Sequence, residues 1–225
     1  MFVKMKSEKP TAEKRMTQAN FDEETIRLTY SIPFKVTKDI RLTILQFKII
    51  HHILPTNATL FRDSLIQHEK CHLCNEKQTL IHLFVTCSFV QTFWTQFALW
   101  WNRKHSDSIT LSEQNIIYGF TQDLPRRLGL NLCLIIAKYY IYTASRREED
   151  YIWEAFFAIL KSHLEIEKHK SKSQISIWAS FCLAARLVNF FFLSSLFLSI
   201  FFCHLLISVS QYRTSNVALL CICSV

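Results

Sequence analysis

Apolar residues recur at three- and four-residue intervals through most of this chain, a period that predicts helices. Ile40, Ile44, Phe47 and Leu54 fall on one face of a segment from Ile40 to Leu54, with Arg41, Lys48 and His52 on another and Asp39 near its start. Pro55 stops that helix, and Asn57 is placed to cap a short one from Ala58 to Ile66. Leu80, Leu83, Phe84 and Val90 resume the period with Thr79 as cap, in a helix expected to run on through Phe93, Trp94 and Phe97 to Trp101. Residues 102–115 read as a polar loop, Ile116 to Phe120 as a short apolar run, and the stretch around Gly129 as turn material. Leu130 to Thr143 is almost wholly apolar, but at about 14 residues, with Lys138 inside it, it is too short to span a bilayer and reads as a buried helix. Glu148 to Lys168 is amphipathic, with Ile152, Phe156, Leu160 and Leu164 inward. Glu148, Glu149 and Asp150 suit its N-terminus, and Lys168 and Lys170 its C-terminal end.

Residues 1–32 form a charged lead-in, loose or weakly helical, which Pro33 ends. At the other end the pattern changes again. Leu187 to Val209 carries no formal charge over 23 residues. As a helix it would measure about 34 Å, enough to cross a hydrocarbon core of roughly 30 Å. Lys168, Lys170, Lys172 and Arg186 precede it and Arg213 follows, so the positive-inside rule would keep its N-terminal side in the cytosol. A run such as NFFFLSSLFLSIFF is equally what an altered reading frame produces. The expected organisation is therefore a lead-in at 1–32, a helical region at 33–170 and a hydrophobic tail at 171–225. The expected fold is all-α: a small helical domain with a metal-pinned turn and helix, followed by a long hydrophobic C-terminal helix.

Composition narrows the classes. With 2 Gly and 4 Pro in 225 residues, a turn-rich β protein and a Gly-rich phosphate loop are both excluded. The net charge is +8, of which the tail from 171 contributes +3 through Lys172, Arg186 and Arg213, leaving 8 − 3 = +5 for the rest. That mild basicity permits contact with nucleic acid. Cys133, Cys182, Cys203, Cys221 and Cys223 sit in apolar runs, as buried thiols do, and no secreted disulfide framework is visible. MFVKMKSEKP has no apolar signal core, so a reducing compartment, cytoplasmic or nuclear, is expected, with a membrane as the alternative through Leu187 to Val209.

The remaining cysteines carry the chemistry. Cys71, Cys74, His82 and Cys87 stand in CHLCNEKQTLIHLFVTC with the spacing C-x2-C-x7-H-x4-C. Thiolate and imidazole suit zinc, and four of them complete a tetrahedron. A two-residue gap lets one tight turn aim two thiolates at one ion. Asn75, Glu76, Lys77 and Gln78 provide the chain that turns back to the helix. His68 and His72 lie close enough to replace one ligand. The plain alternative is a set of buried cysteines and a core histidine. A redox dithiol is disfavoured, since no strand–helix–strand pattern surrounds the pair.

Residues 33–170 resemble the C-terminal zinc-binding region of LINE-type (non-LTR) retrotransposon reverse transcriptases. The resemblance rests on PFKVTKDIRLTILQFKIIHHILPTNATLF, on the metal segment, on Phe93-Trp94, and on the later NIIYGF and LCLIIAKYYIYTASRREEDYIWEAFFAILKSHLEIEKH. It implies a segment that follows the polymerase and helps hold template RNA or target DNA during target-primed reverse transcription. It carries the metal role to Cys71, Cys74, His82 and Cys87 one for one. The spacing departs from the retroviral nucleocapsid knuckle, whose histidine comes sooner after the second cysteine. Two departures from the family stand out: the polymerase and endonuclease are absent, and the apolar end after residue 171 has no counterpart. The resemblance thus implies a truncated remnant, or a gene model cut from a larger element.

Candidate nucleic-acid contacts are Lys48, His52, Arg62, Arg103, Lys104, Arg126 and Arg127 for phosphates, with Trp100 and Trp101 for bases. The strongest are Lys48, Arg62, Trp101, Arg103 and Lys104. The reading is a non-catalytic zinc-binding, nucleic-acid-binding module with no small-molecule substrate; a membrane-anchored or protein-interaction module with a structural zinc is the alternative. No Asp-Asp pair is present to hold the two metal ions of a polymerase, and Asp22-Glu23-Glu24 and Glu148-Glu149-Asp150 have the context of solvated helix ends. Primer extension by the isolated chain should therefore be undetectable; extension abolished by mutating one of its acidic residues would overturn this.

Overall fold

Residues 10–36 form more regular structure than their charge suggests. In the computed structural model, which describes residues 10–105 and 108–170, Thr11–Gln18 forms α1 and Glu23–Val36 forms α2. The Asp22 side chain caps α2 by accepting from the Thr25 N–H at 2.7 Å. Pro33 does not end a lead-in; it lies inside α2, in its last turn. Proline there removes only the one backbone bond its N–H would have made, and Ile32, Pro33 and Val36 are all buried in exchange. α1 likewise buries Ala12 and Met16. Position 32 is thus the interior of a helix, not its end.

α3, Ile40–His51, starts where Asp39 accepts from the Arg41 N–H at 3.0 Å and ends at His52, which takes a left-handed conformation at φ 56°. Its buried face is Leu42, Thr43, Leu45, Gln46, Ile49 and Ile50, packed against α1, α2 and later helices. Ile40, Ile44 and Phe47, the expected inward face, are exposed. α4, Asn57–Arg62, is shorter than expected and capped by Thr56 rather than Asn57, through a reciprocal pair with Thr59. A π-helical turn, His82–Thr86, and α5, Ser88–Lys104, follow, then α6, Glu113–Tyr118.

The scaffold is α7, Leu124–Arg146, flanked by α2, α3 and α8, Trp153–Lys170. It is longer than the apolar run from Leu130 to Thr143, because the Gly129 region is helix and not turn. Its 23 residues are long and apolar enough to cross a membrane, yet 78% of its most apolar window is buried within the protein, as in a core helix. The glycine that a turn requires is Gly119, at φ +89°, where a Cβ would meet Asn131 Oδ1 at 2.9 Å. Asn131 in turn brackets Phe120, accepting from its N–H at 2.8 Å and donating to its carbonyl at 2.9 Å. On α8, Phe156 and Leu160 are buried as expected and Leu164 partly so, while Ile152 precedes the helix and is exposed.

α8 is also tied by polar groups. The buried Glu167 carboxylate accepts from Thr37 Oγ1 and from the Lys38 N–H at 3.1 Å, and His163 Nδ1 lies 3.7 Å from Asp39. Arg41 beside Asp39 holds that carboxyl below its usual range. Apart from one isolated bridge between Lys70 and Lys77, no strand occurs among the described residues, and the fold is all-α. The hydrophobic segment Leu187 to Val209 and the rest of 171–225 lie outside the described residues.

Lys138 is the core's least expected member. It is buried, and its Nζ lies 3.5 Å from the Ile117 carbonyl, which also accepts from Gln46 Nε2 at 2.9 Å. Burial pulls the ammonium down from 10.5 to about 7. A lysine depressed in the folded state is a penalty while charged, complete below about 7 and relieved as pH rises towards the unfolded value. Lys138→Met should therefore stabilise the protein by up to about 5 kcal/mol at pH 6. The advantage should shrink steadily between pH 7 and 10. Denaturant melts of both proteins across that range test it, and a constant difference would contradict the burial argument.

Candidate metal centre

Two short segments build the centre. In the first, Cys71 and Cys74 bracket a tight turn closed by the Asn75 N–H on the Cys71 carbonyl at 2.9 Å, with Asn75 left-handed at φ 64°. The Cys71 N–H bonds the Glu76 carbonyl at 2.7 Å, and the Lys70–Lys77 bridge fastens the two arms of the loop. In the second segment the Thr79 hydroxyl caps the returning chain, accepting from the His82 N–H at 3.1 Å. The expected continuous helix from Leu80 to Trp101 is broken here. His82–Thr86 winds as a π-turn closed by the Cys87 N–H on the His82 carbonyl at 3.1 Å, and Cys87 itself is extended before α5 begins.

That break has a geometric cause. On an α-helix, positions i and i+5 point about 140° apart, so His82 and Cys87 would face different directions. An i→i+5 bonded turn brings the fifth residue round to the side of the first. The H-x4-C spacing thus requires a wider turn than the apolar period implies. Trp94 anchors it by donating from Nε1 to the Phe84 carbonyl at 2.7 Å.

The four donor atoms of Cys71, Cys74, His82 and Cys87 converge within 4.8 Å of one another. Cys74 Sγ stands 3.2 Å from His82 Nε2 and 3.9 Å from Cys87 Sγ. Bonds of about 2.3 Å to a tetrahedral ion imply sulfur–sulfur edges of about 3.8 Å, close to the Cys74–Cys87 separation, so the donor set suits zinc. Cys71, Cys87 and His82 are buried. The Cys87 thiol beside Cys71 favours the Cys71 thiolate and holds its pKa far below the usual thiol range, helped by the N–H groups of Cys74 and Leu73. The same pairing pushes Cys87 up. Zinc binds thiolates, so taking up an ion would displace the remaining thiol protons. Neither His68 nor His72 joins the cluster: His68 is exposed, and His72 Nε2 pairs with the Glu149 carbonyl at 3.0 Å.

Three further residues serve the centre. Glu76 approaches His82 Nδ1 at 3.4 Å, which orients the ring so that Nε2 faces the thiolates. Gln78 is buried and links three elements, donating to Ser145 at the end of α7 at 3.0 Å and accepting from the Asn57 N–H at 3.2 Å. Asn57 donates to the Lys70 carbonyl at 2.8 Å. The sequence marks Glu76 and Gln78 only as polar chain in the loop and Asn57 only as a helix cap, neither of which points to a role beside a metal. Beside the loop opens a cleft of about 600 Å³ whose lining includes His52, Phe61, Arg62, Glu69, Lys77 and Leu80.

The other candidates lie on four helices. Lys48 is half-buried on α3, and Arg62 is exposed in the last turn of α4, paired with Asp63 at 3.1 Å. Arg103 and Lys104 occupy the last turn of α5. Trp101 is 5% exposed, and His105 stacks on its ring at 3.9 Å, so it has no open face for a base. Trp100 packs edge-on against Trp153 and Phe157. Arg126 pairs with Asp123, and Arg127 lies over the Phe120 ring.

A family of zinc-binding regions found in reverse transcriptases matches residues 14–94, from within α1 to Trp94 on α5. The match takes in both halves of the metal cluster and starts earlier than the resemblance read from residue 33. It is to the zinc-binding region and not to a polymerase domain. No curated protein and no solved structure matches the chain.

The reduced protein should bind one zinc ion. Because a structural zinc is worth on the order of 10 kcal/mol, Cys74→Ser or His82→Ala should lose the metal and loosen residues 66–100. Glu76→Ala should keep the fold but weaken zinc about 10- to 100-fold. Elemental analysis and competition with a chromophoric chelator measure both. Folded, reduced protein without zinc would refute the assignment.

Proposed function

We propose that this chain is a non-catalytic, zinc-pinned helical module that binds RNA or DNA, related to the zinc-binding region of a LINE-type reverse transcriptase. The observation that carries this reading is the coincidence of the family match over residues 14–94 with a Cys3His donor set inside it. Zinc has a structural role here: four protein donors complete its coordination and leave no open position for chemistry. It would hold the loop that carries Lys70 and Lys77 against α4, which carries Arg62. These cations, with Lys48, Arg103 and Lys104, supply phosphate contacts, and the net charge of +8 favours a polyanion.

The experiment is a titration of zinc-loaded protein with single-stranded RNA and duplex DNA across a salt series. Affinity should fall with a log–log slope near −0.7 per contacted phosphate on a single strand. Arg103→Ala with Lys104→Ala should flatten the slope by roughly one to two such contacts. Trp101→Ala should lower stability by about 3–5 kcal/mol, as a core truncation does, instead of weakening a folded binder. Salt-insensitive or absent binding to both polymers would discard the nucleic-acid reading.

A further inference from the structure

α3 buries one face and leaves a second apolar stripe in solvent. Ile40, Ile44 and Phe47 stand at i, i+4 and i+7 and are 63%, 45% and 48% exposed. Phe34, 64% exposed, lies in the last turn of α2, which packs against α3 across the short turn at Thr37 to Asp39. His51 extends the stripe by one turn, its ring 4.2 Å from Phe47 and 5.6 Å from Tyr30. Single exposed apolar residues are ordinary, whereas four large ones beside each other mark a contact surface.

Along α3 and the turn before it the exposed charges have one sign, although Glu13 and Arg15 of α1 reach the His51 end. Between residues 34 and 52 every exposed or half-exposed charged side chain is cationic: Lys35, Lys38, Arg41 and Lys48. The two carboxylates that reach this turn, Asp39 and Glu167, are buried against Arg41, His163, Thr37 and the Lys38 N–H.

We propose that this face docks an amphipathic helix of a partner protein, with acidic residues flanking the partner's apolar stripe. Side chains at i, i+4 and i+7 form the ridge that a second helix packs against. The cationic rim sets the sign of the partner's flanks. A second copy of this chain would bring like charges together across the same face. A nucleic acid would meet the cations but gain little from two isoleucines, since such interfaces are strongly polar. The inference shares Lys48 with the proposed phosphate contacts but rests on the apolar stripe, so Ile44→Asp and Phe47→Ser separate it from nucleic-acid binding.

The test uses the full zinc-loaded chain and a labelled synthetic helix of about six turns, with leucines in one stripe and glutamates on both flanks, beside a twin carrying lysines instead. The acidic helix should bind and the lysine twin should not. Ile44→Asp, and separately Phe47→Ser, should weaken binding at least tenfold with zinc content and melting unchanged. Lys38→Glu with Lys48→Glu should lose the acidic helix and gain the lysine twin. The idea fails if the acidic helix does not bind, or if it binds these variants as well as the parent. It fails equally if Ile44→Asp instead abolishes self-association, adsorption to phosphatidylserine vesicles or RNA binding while leaving the peptide bound.

Discussion

Convergence of three sulfurs and one imidazole nitrogen on a single point is the constraint around which the rest of the N-terminal region is arranged. Neither segment that supplies them is a regular element. One is a tight turn, the other a π-turn, and each adopts a geometry that the apolar period alone would not select. Ligand chemistry explains both, because four donors must meet at tetrahedral edges. The surrounding hydrogen bonds make the demand consistent with the fold: Thr79 caps the returning chain, Trp94 holds the Phe84 carbonyl, and Gln78 fastens the loop to α7.

The centre therefore acts as a joint between small elements that have little core of their own. α4 buries no residue completely, and its register depends on Asn57 and Ala58 bonding the metal loop. The surfaces that flank the joint differ in character. The loop and α4 present cations around a cleft, and α3 presents an apolar stripe with a cationic rim.

What the sequence disclosed follows from which signals are local. The four donors were legible because metal ligands are chosen by type and spacing, and α7 and α8 because apolar residues dominate them over several turns. α3 was legible as a helix but not in orientation. It is apolar on two sides, and only packing against α1, α2 and α7 selected Leu42, Leu45 and Ile49 over Ile40, Ile44 and Phe47. Trp101 and Arg103 are neighbours in the chain and point to different environments, which adjacency does not reveal. Pro33 was misleading because a proline in a last turn costs one hydrogen bond, little enough for burial to outweigh.

The bond from Glu167 to Thr37 and Lys38 joins positions 129 and 130 residues apart in the chain. During synthesis the N-terminal helices and the metal loop emerge first, and zinc can close on four ligands drawn from 17 consecutive residues, Cys71 to Cys87. In the turn between α2 and α3 the Thr37 and Asp39 amides have local partners, whereas the Lys38 N–H bonds Glu167 and must wait for the end of α8. The four metal donors can thus assemble early, whereas the Glu167 latch on Thr37 and Lys38 closes late.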